Sequence, residues 1–139
     1  MPDSTLSHHD YRTLAAFRFA LRGFLSFSEA AARDAGLTPR QHQALLGIKA
    51  APAKDMASMS HLAAFLILHH NSTVGLVDRL EVSGLVARTT DPADRRRVLV
   101  HLMPAGERCL AELSATHFAE LERVRPGLRN LLDCMNTQR

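Results

Sequence analysis

The chain has few cysteines, few lysines, no tryptophan and no long hydrophobic run. Its two cysteines, Cys109 and Cys134, are too far apart for a CxxC metal or redox motif. The longest apolar run, Leu62 to Leu68, is much shorter than the roughly 20 residues of a membrane-spanning helix. The N-terminus has no charged segment followed by an apolar one, as a secretory signal peptide would. We therefore expect a cytoplasmic location and no membrane partner. Buried thiols are the favoured interpretation of the two cysteines, and a redox role for them stays open as the alternative.

The motifs of enzymes and metal sites are also missing. The sequence has no nucleophile elbow, no phosphate-binding glycine loop and no paired-carboxylate motif, so an enzyme is the least supported class. Eight histidines keep a metal-responsive protein open, but no HxxxH pair occurs among them. We expect no cofactor and no bound metal.

Arginine is what the sequence does have. Fifteen arginines stand against two lysines within a formal net charge of only +3. A guanidinium group offers a planar donor fork that suits phosphates and guanine edges. A genome biased toward arginine would explain the same excess. The positions of the arginines therefore have to distinguish a nucleic-acid-binding role from such a bias. The 139 residues, 46% of them hydrophobic, allow one folded domain, or one domain with helices that need a partner.

A long helix is predicted at the N-terminus. Ser7 with Asp10 resembles a helix start, and no breaker follows until Gly36. A helix of about 28 residues would extend about 40 Å, more than a compact domain of this size needs. We expect part of it to pack against another subunit through an apolar stripe of Leu14, Phe17, Leu21, Phe24 and Leu25.

Three shorter helices follow in the prediction. Thr38, Pro39 and Gln41 form a capping box that starts a helix ending near Ala50, with Ala44, Leu45 and Ile48 buried. After a linker over 51–57, a short helix begins at Ser58 or Ser60 and stops near His69. The next begins at Asn71 or Ser72 and ends at Ser83–Gly84. The last two helices form a helix-turn-helix.

The second helix of this pair has two distinct faces. Val74, Val77 and Leu80 form its inner stripe, and the opposite row holds Ser72, Gly75 and Arg79. Glycine within a helix costs about 1 kcal/mol relative to alanine, so Gly75 needs another reason. Gly75 either permits close approach of DNA or accommodates packing. Arg79 either contacts DNA or pairs with Glu81 on the surface.

A hairpin rich in arginine comes next. The runs 85–90 and 97–102 flank a turn at Asp91–Asp94, and Arg95, Arg96 and Arg97 crowd that turn. Val98, Val100 and Leu102 should lie on a core, with Leu99 and His101 facing outward. Such a ribbon is marginal alone, so it must pack on the helices.

The C-terminal part is predicted as two helices. Pro104 starts the first, Pro126–Gly127 interrupts it, and the second runs over 128–135. The fold class is therefore mainly α with a small two-stranded β-wing. A winged helix-turn-helix over 37–103 lies between N-terminal (1–36) and C-terminal (104–139) dimerisation helices.

Several blocks of the sequence resemble the MarR family of bacterial transcription regulators. They are LTPRQHQALLGI from Leu37, MSHLAAFLIL from Met59, STVGLVDRLEVSGLVAR from Ser72, DPADRRRVLVHL from Asp91 and PAGERCLAEL from Pro104. The resemblance implies a homodimer that binds a pseudo-palindromic operator in double-stranded DNA and represses genes until a small molecule releases it. A protein-interaction module with a degenerate wing is the alternative outside gene regulation, and the intact arginine cluster argues against it.

The resemblance also assigns DNA contacts. The start of the recognition helix would meet base edges, and the wing would enter a minor groove, with Arg96 as its main residue and Asp94 orienting it. Arg88, Arg95 and Arg97 would contact phosphates. Relatives often carry a polar or basic residue at Gly75, so a base contact is missing there. Besides Gly75 and these wing residues, the DNA-binding set comprises His69, His70, Asn71, Ser72, Thr73 and Arg79. The two histidines could instead cap the turn before the helix.

Family pockets between the dimerisation helices and the winged helix accept aromatic acids. The corresponding candidates here are Tyr11, Arg18, Arg22 and His42, with a small aromatic or acidic effector as the ligand. Arg18 and Arg22 lie one helical turn apart, which suits a carboxylate but equally suits an intersubunit ion pair.

Overall fold

A computed structural model describes residues 5–53 and 57–136, and this part folds into five helices and one two-stranded sheet. The elements are α1 (His8–Asp34), α2 (Pro39–Lys49), α3 (Met59–Leu66), α4 (His70–Val82), β1 (Val86–Thr90), β2 (Val98–Leu102) and α5 (Pro104–Asn136). The expectation of a mainly α fold with a small wing is confirmed. Residues 54–56 of the predicted linker lie outside the described ranges. Across those ranges, no helix combines the length and the apolar character needed to cross a bilayer.

The chain divides into two compact units. The helical unit combines Met1–Ala30 with Ala115–Arg139, and the winged unit comprises Ala31–Ser114. The winged unit contains α2 to α4, the sheet, the end of α1 and the start of α5. It therefore extends on both sides of the segment 37–103 that the sequence pattern assigns to the winged helix.

Local hydrogen bonds explain the first two helices. The Ser7 hydroxyl accepts from the Asp10 amide at 3.2 Å, and the Asp10 carboxylate accepts from the Ser7 amide at 2.7 Å. At α2 the Thr38 hydroxyl and the Gln41 side chain form the predicted reciprocal capping box. Gly36 ends α1 with a φ of 80°. These predicted ends are confirmed.

The turn between α3 and α4 differs from the prediction. Ser58 caps α3, but the helix stops at Leu66 because Ile67 adopts a left-handed conformation with a φ of 54°. With the turn placed there, α4 begins at His70, and His69 occupies the N-cap position. The predicted caps Asn71 and Ser72 are wrong; both residues lie inside the first turn of α4.

One hydrophobic core holds the winged unit together. In α4 the buried apolar side chains are Leu76, Val77 and Leu80, whereas Val74 is only half-buried. The largest fully buried apolar side chains of the unit are Leu45, Leu62, Leu80, Val77, Val86 and Val100. The core therefore joins α2, α3 and α4 to both strands, which gives the ribbon the support that it lacks alone.

The sheet is antiparallel, with Val86 opposite Leu102 and Thr90 opposite Val98. The predicted alternation along β2 is wrong at Leu99, which is buried like Val100. The cause is a third segment beside β2: the Val100 amide donates to the Ala57 carbonyl at 2.8 Å, and Ser58 bridges Leu99. This segment covers the edge of β2.

The base of the wing packs closely on the start of α5. The Leu85 carbonyl oxygen accepts from the Met103 amide at 2.9 Å. A Cβ atom on Gly106 would lie only 2.1 Å from that oxygen, so the contact needs a glycine. Downstream, α5 continues through Pro126 to Asn136. The predicted interruption at Pro126–Gly127 is wrong, and there is no separate last helix in the described residues.

The helical unit joins α1 to α5 through a histidine between two phenylalanines. The His117 ring lies edge-on to Phe24 and Phe27, with centroids 5.9 and 5.7 Å away, and its Nε2 is 2.7 Å from the Ser28 hydroxyl. Other large apolar side chains of this unit stay exposed: Leu14, Phe19, Leu21, Leu25, Phe118, Leu121 and Leu132.

The two cysteines have different environments. Cys109 is half-buried beside the core, whereas Cys134 is exposed, which corrects the expectation of two buried thiols. Burial, followed by the nearby Glu112 carboxylate, raises the pKa of the Cys109 thiol. Cys109 therefore forms its reactive thiolate less readily than an ordinary cysteine.

The contact at Gly106 predicts a large difference between two glycine substitutions in the same helix. Gly106→Ala should destabilise the fold by about 1–3 kcal/mol, because the added methyl group meets the rigid Leu85 carbonyl. Gly127→Ala, where nothing lies within 4 Å of the added atom, should stabilise the fold by about 1 kcal/mol. Urea unfolding measures both, and equal effects would contradict the packing of the wing base.

The raised pKa of Cys109 predicts slow thiol chemistry. With Cys134→Ser, the remaining Cys109 should react with Ellman's reagent at pH 8 several-fold more slowly than Cys134 does in the Cys109→Ser variant. In guanidinium chloride the two rates should converge, since unfolding removes the burial. Equal rates in the folded proteins would refute the assignment.

Candidate nucleic-acid interface

The start of α4 presents an exposed polar surface. His69, His70, Asn71 and Ser72 are exposed there, and Arg79 is exposed further along the helix. His69 occupies the N-cap position, but its side chain makes no capping hydrogen bond. The open N–H groups and the positive end of the helix dipole suit a phosphate at this point. Within the described ranges Arg79 forms no ion pair, and Glu81, its alternative partner, binds Arg88.

Thr73 does not belong to this surface. Its side chain is completely buried, and its hydroxyl donates to the His69 carbonyl at 3.0 Å. The predicted DNA contact of Thr73 is therefore corrected: the residue fixes the first turn of α4 from inside. Hydrophobic periodicity misses this because threonine counts as polar in the pattern.

Gly75 has no packing reason to be glycine. A Cβ atom there would meet only the Arg79 guanidinium, at an ordinary distance of 3.8 Å. The packing alternative is therefore unsupported in the winged unit. The missing side chain leaves the outer face of α4 open beside Ser72 and Arg79.

The tip of the wing is a turn built by two aspartates. The Asp91 carboxylate accepts from the Ala93 amide at 2.9 Å, and the Asp94 carboxylate accepts from the Arg96 amide at 3.1 Å. The Asp91 and Arg97 backbones close the loop at 2.9 Å. Asp94, the predicted partner that orients Arg96, contacts the Arg96 backbone, as in an Asx turn.

This turn projects two arginines into solvent. Arg95 and Arg96 are exposed, and neither forms an ion pair with any residue in the described ranges. Because the turn below them is hydrogen-bonded, their backbone positions are set while their guanidinium groups stay available. The tip therefore offers two free donor forks to an anion or a base edge.

The other two wing arginines bind within the protein. Arg97 is half-buried, with its Nη1 3.5 Å from the Asp91 carboxylate. Arg88 binds Asp78 and Glu81 of α4. Hydrogen bonds, first with Glu81 and then with Asp78, raise the pKa of Arg88 above its ordinary value. The prediction that Arg88 contacts DNA phosphate is therefore corrected. Sequence spacing gives no signal for the pairing of Arg88 with Asp78 and Glu81.

A groove runs between the helix-turn-helix and the wing. Hydroxyl groups, arginines and a substantial apolar surface line it, and its lining residues are Ser58, Met59, Ser60, His70, Val74, Arg88, Thr89, Thr90, Arg96, Arg97 and Val98. The structure thus brings His70, at the start of α4, and Arg96, at the wing tip, to one surface. No aromatic or acidic residue is among these lining residues.

The predicted effector residues fall in different units. Tyr11, Arg18 and Arg22 lie exposed on α1 in the helical unit, whereas His42 is 5% exposed on α2 in the winged unit. Their assembly into one pocket stays a prediction. In the described ranges, no group of three or more His, Cys, Asp or Glu side chains has the arrangement of a metal site.

Comparison with known proteins gives one consistent family. Residues 35–97 match the family model described as MarR family. The putative transcriptional regulatory protein for the hcr operon of Thauera aromatica is 33% identical over 96 residues, which are 69% of this chain but only 56% of that protein. The chain thus spans about half the length of this curated relative.

Solved structures agree with the sequence match. The MarR family transcription regulator SP03579 is 25% identical with a TM-score of 0.74, covering 92% of this chain and 84% of that one. CouR from Rhodococcus jostii RHA1, solved bound to p-coumaroyl-CoA, is 27% identical with a TM-score of 0.71, covering 96% and 92%. With its helix-turn-helix, arginine-tipped wing and this match, the chain belongs to the MarR family of winged-helix transcriptional regulators.

Proposed function

We propose that this chain is a homodimeric repressor that binds a pseudo-palindromic operator and is released by a small aromatic acid or its acyl derivative. The observation that carries the proposal is the wing tip, where Arg95 and Arg96 are exposed on a turn closed by Asp91 and Asp94. Two unpaired guanidinium groups held at the end of a hydrogen-bonded turn are suited to contact with a polyanion.

The two tip arginines have different roles in this proposal. Arg96 enters the minor groove, where arginine responds to groove width and to the negative potential there. Arg95 binds the phosphate backbone, which contributes affinity without reading sequence. His70, Asn71 and Ser72 meet base edges in the major groove from the start of α4.

The homodimer is supported by the apolar surface of the helical unit. Phe19 is 79% exposed, Phe118 69%, Leu132 52% and Leu14 49%. Large apolar side chains exposed in this number on one unit are typical of a surface that packs against another subunit. A two-fold dimer would present two recognition helices to half-sites about 34 Å apart, one turn of the double helix.

An acidic effector is supported by the arginines of α1 and by a relative. Arg18 and Arg22 are both exposed and lie one helical turn apart. CouR, a structural relative, is bound to p-coumaroyl-CoA, an aromatic acyl thioester that carries phosphates. No observation favours a metal- or redox-responsive regulator over a regulator that responds to an acidic effector.

The wing assignment predicts different effects for two neighbouring arginines. Arg96→Ala should weaken binding to an operator duplex selected from random DNA by about 1–3 kcal/mol. It should also lower the preference of the protein for this operator over a scrambled duplex. Arg95→Ala, the matched control, should weaken both duplexes alike and reduce the slope of log affinity against log salt by about one. Fluorescence anisotropy at several salt concentrations measures this, and negligible effects of both would refute the assignment.

The effector assignment predicts a ligand that competes with DNA. p-Coumaroyl-CoA or a free aromatic acid should give heat on titration calorimetry and release the operator. Arg18→Ala should weaken this binding about tenfold, since a charge-assisted hydrogen bond is lost. Arg12→Ala, on the same helix but outside the set, should bind normally. No heat with either ligand in the unmodified protein would remove this part of the proposal.

A further inference from the structure

Arg88 on β1 connects the wing directly to α4. One of its terminal nitrogens, Nη2, binds the Asp78 carboxylate and lies 3.1 Å from Oε1 of Glu81. The Arg88 backbone amide donates to the other Glu81 oxygen, Oε2, at 3.1 Å. We call the side chains of Asp78, Glu81 and Arg88 the α4–β1 clamp.

The clamp holds both the main chain and the side chain of the strand. Asp78 and Glu81 are three residues apart, so they lie on one face of α4. Glu81 uses its two oxygens for the backbone and the guanidinium of the same residue, which leaves β1 little freedom to shift against the helix. The Arg88 side chain is 29% exposed and those of Asp78 and Glu81 are 51% and 40% exposed, so water partly screens this pairing.

The clamp lies at the joint between the two DNA-binding elements. The chain passes from α4 to β1 through Ser83, Gly84 and Leu85, and Gly84 has a φ of 73°. A helix in the major groove and a wing in the minor groove can contact one duplex only at a suitable mutual angle. A loose joint would have to become ordered on binding, at a cost in affinity.

We propose that the α4–β1 clamp sets the angle between the recognition helix and the wing, so that Arg88 is a positioning residue for DNA binding. The proposal rests on the DNA-binding role proposed above. It makes Arg88 a positioning residue instead of a phosphate contact. It also explains why two acids, Asp78 and Glu81, lie on a surface that would be expected to favour positive charge.

Removing the two acids of the clamp distinguishes two roles of Arg88, phosphate contact and positioning of the wing. The two roles predict changes of opposite sign in DNA affinity. Two carboxylates near a DNA-binding surface repel phosphates, so their removal alone should strengthen binding. If Arg88 contacted phosphate, removing the acids would also free it to do so. If the acids position the wing, their removal weakens binding despite the lost repulsion.

The test uses full-length protein and selected operator duplex. Asp78→Asn with Glu81→Gln should lower operator affinity about fivefold to tenfold, and Arg88→Met should lower it similarly with an unchanged salt slope. Glu107→Gln is the matched control: this acid pairs with Lys49 of α2 at 2.9 Å in the same unit and, among the described residues, forms no ion pair with α4 or the wing. Tighter binding by the Asp78/Glu81 variant, or a slope reduced by about one in Arg88→Met, would overturn the proposal.

Hydrogen exchange of the free protein gives a readout that does not need DNA. Amides of β1 and β2 should exchange at least several-fold faster in the Asp78/Glu81 variant and in Arg88→Met, while amides of α2 keep their protection. Unchanged wing exchange in both variants would refute the clamp. If the unmodified chain failed to bind any duplex, the proposed function would fail, and exchange would still decide whether the clamp fixes the wing.

Discussion

A two-stranded ribbon has too little core of its own to stay folded, so the wing depends on how its base is held. The Leu85 amide donates to the Leu80 carbonyl at 3.0 Å, and the Leu85 carbonyl accepts from Met103 at 2.9 Å. Gly106 leaves room for that carbonyl, and Val86 and Val100 enter the core of the winged unit. These contacts join α4, the ribbon and α5 at one place, and the DNA-binding surface is built outward from it.

The arginines divide according to their distance from this base. Arg88, nearest to α4, is bound by two acids, and Arg97 lies beside Asp91 where the loop closes. Arg95 and Arg96, at the tip, form no ion pair within the described ranges. The same residue type therefore forms ion pairs within the protein at the base and stays open to solvent at the tip. Neither ion pairing within the protein nor exposure at the wing tip explains by itself the excess of arginine over lysine.

Features set by neighbouring residues were predictable from the sequence. The capping box at Thr38 and Gln41, the stops at Gly36 and Gly84 and the hairpin itself depend on local hydrogen bonds and φ preferences. Features set by distant segments were not. Leu99 is buried because Ala57 and Ser58 lie beside β2, and Arg88 is paired because the fold brings α4 against β1. Pro126 lies within a helix that the pattern divides in two.

Selection of binding sites from random duplex DNA tests most directly whether this winged helix binds duplex DNA as one half of a symmetric pair. The purified chain should enrich an inverted repeat whose half-site centres lie about one helical turn, roughly 10 base pairs, apart. Enrichment of an unrepeated sequence, or no enrichment above the starting pool, would contradict the account.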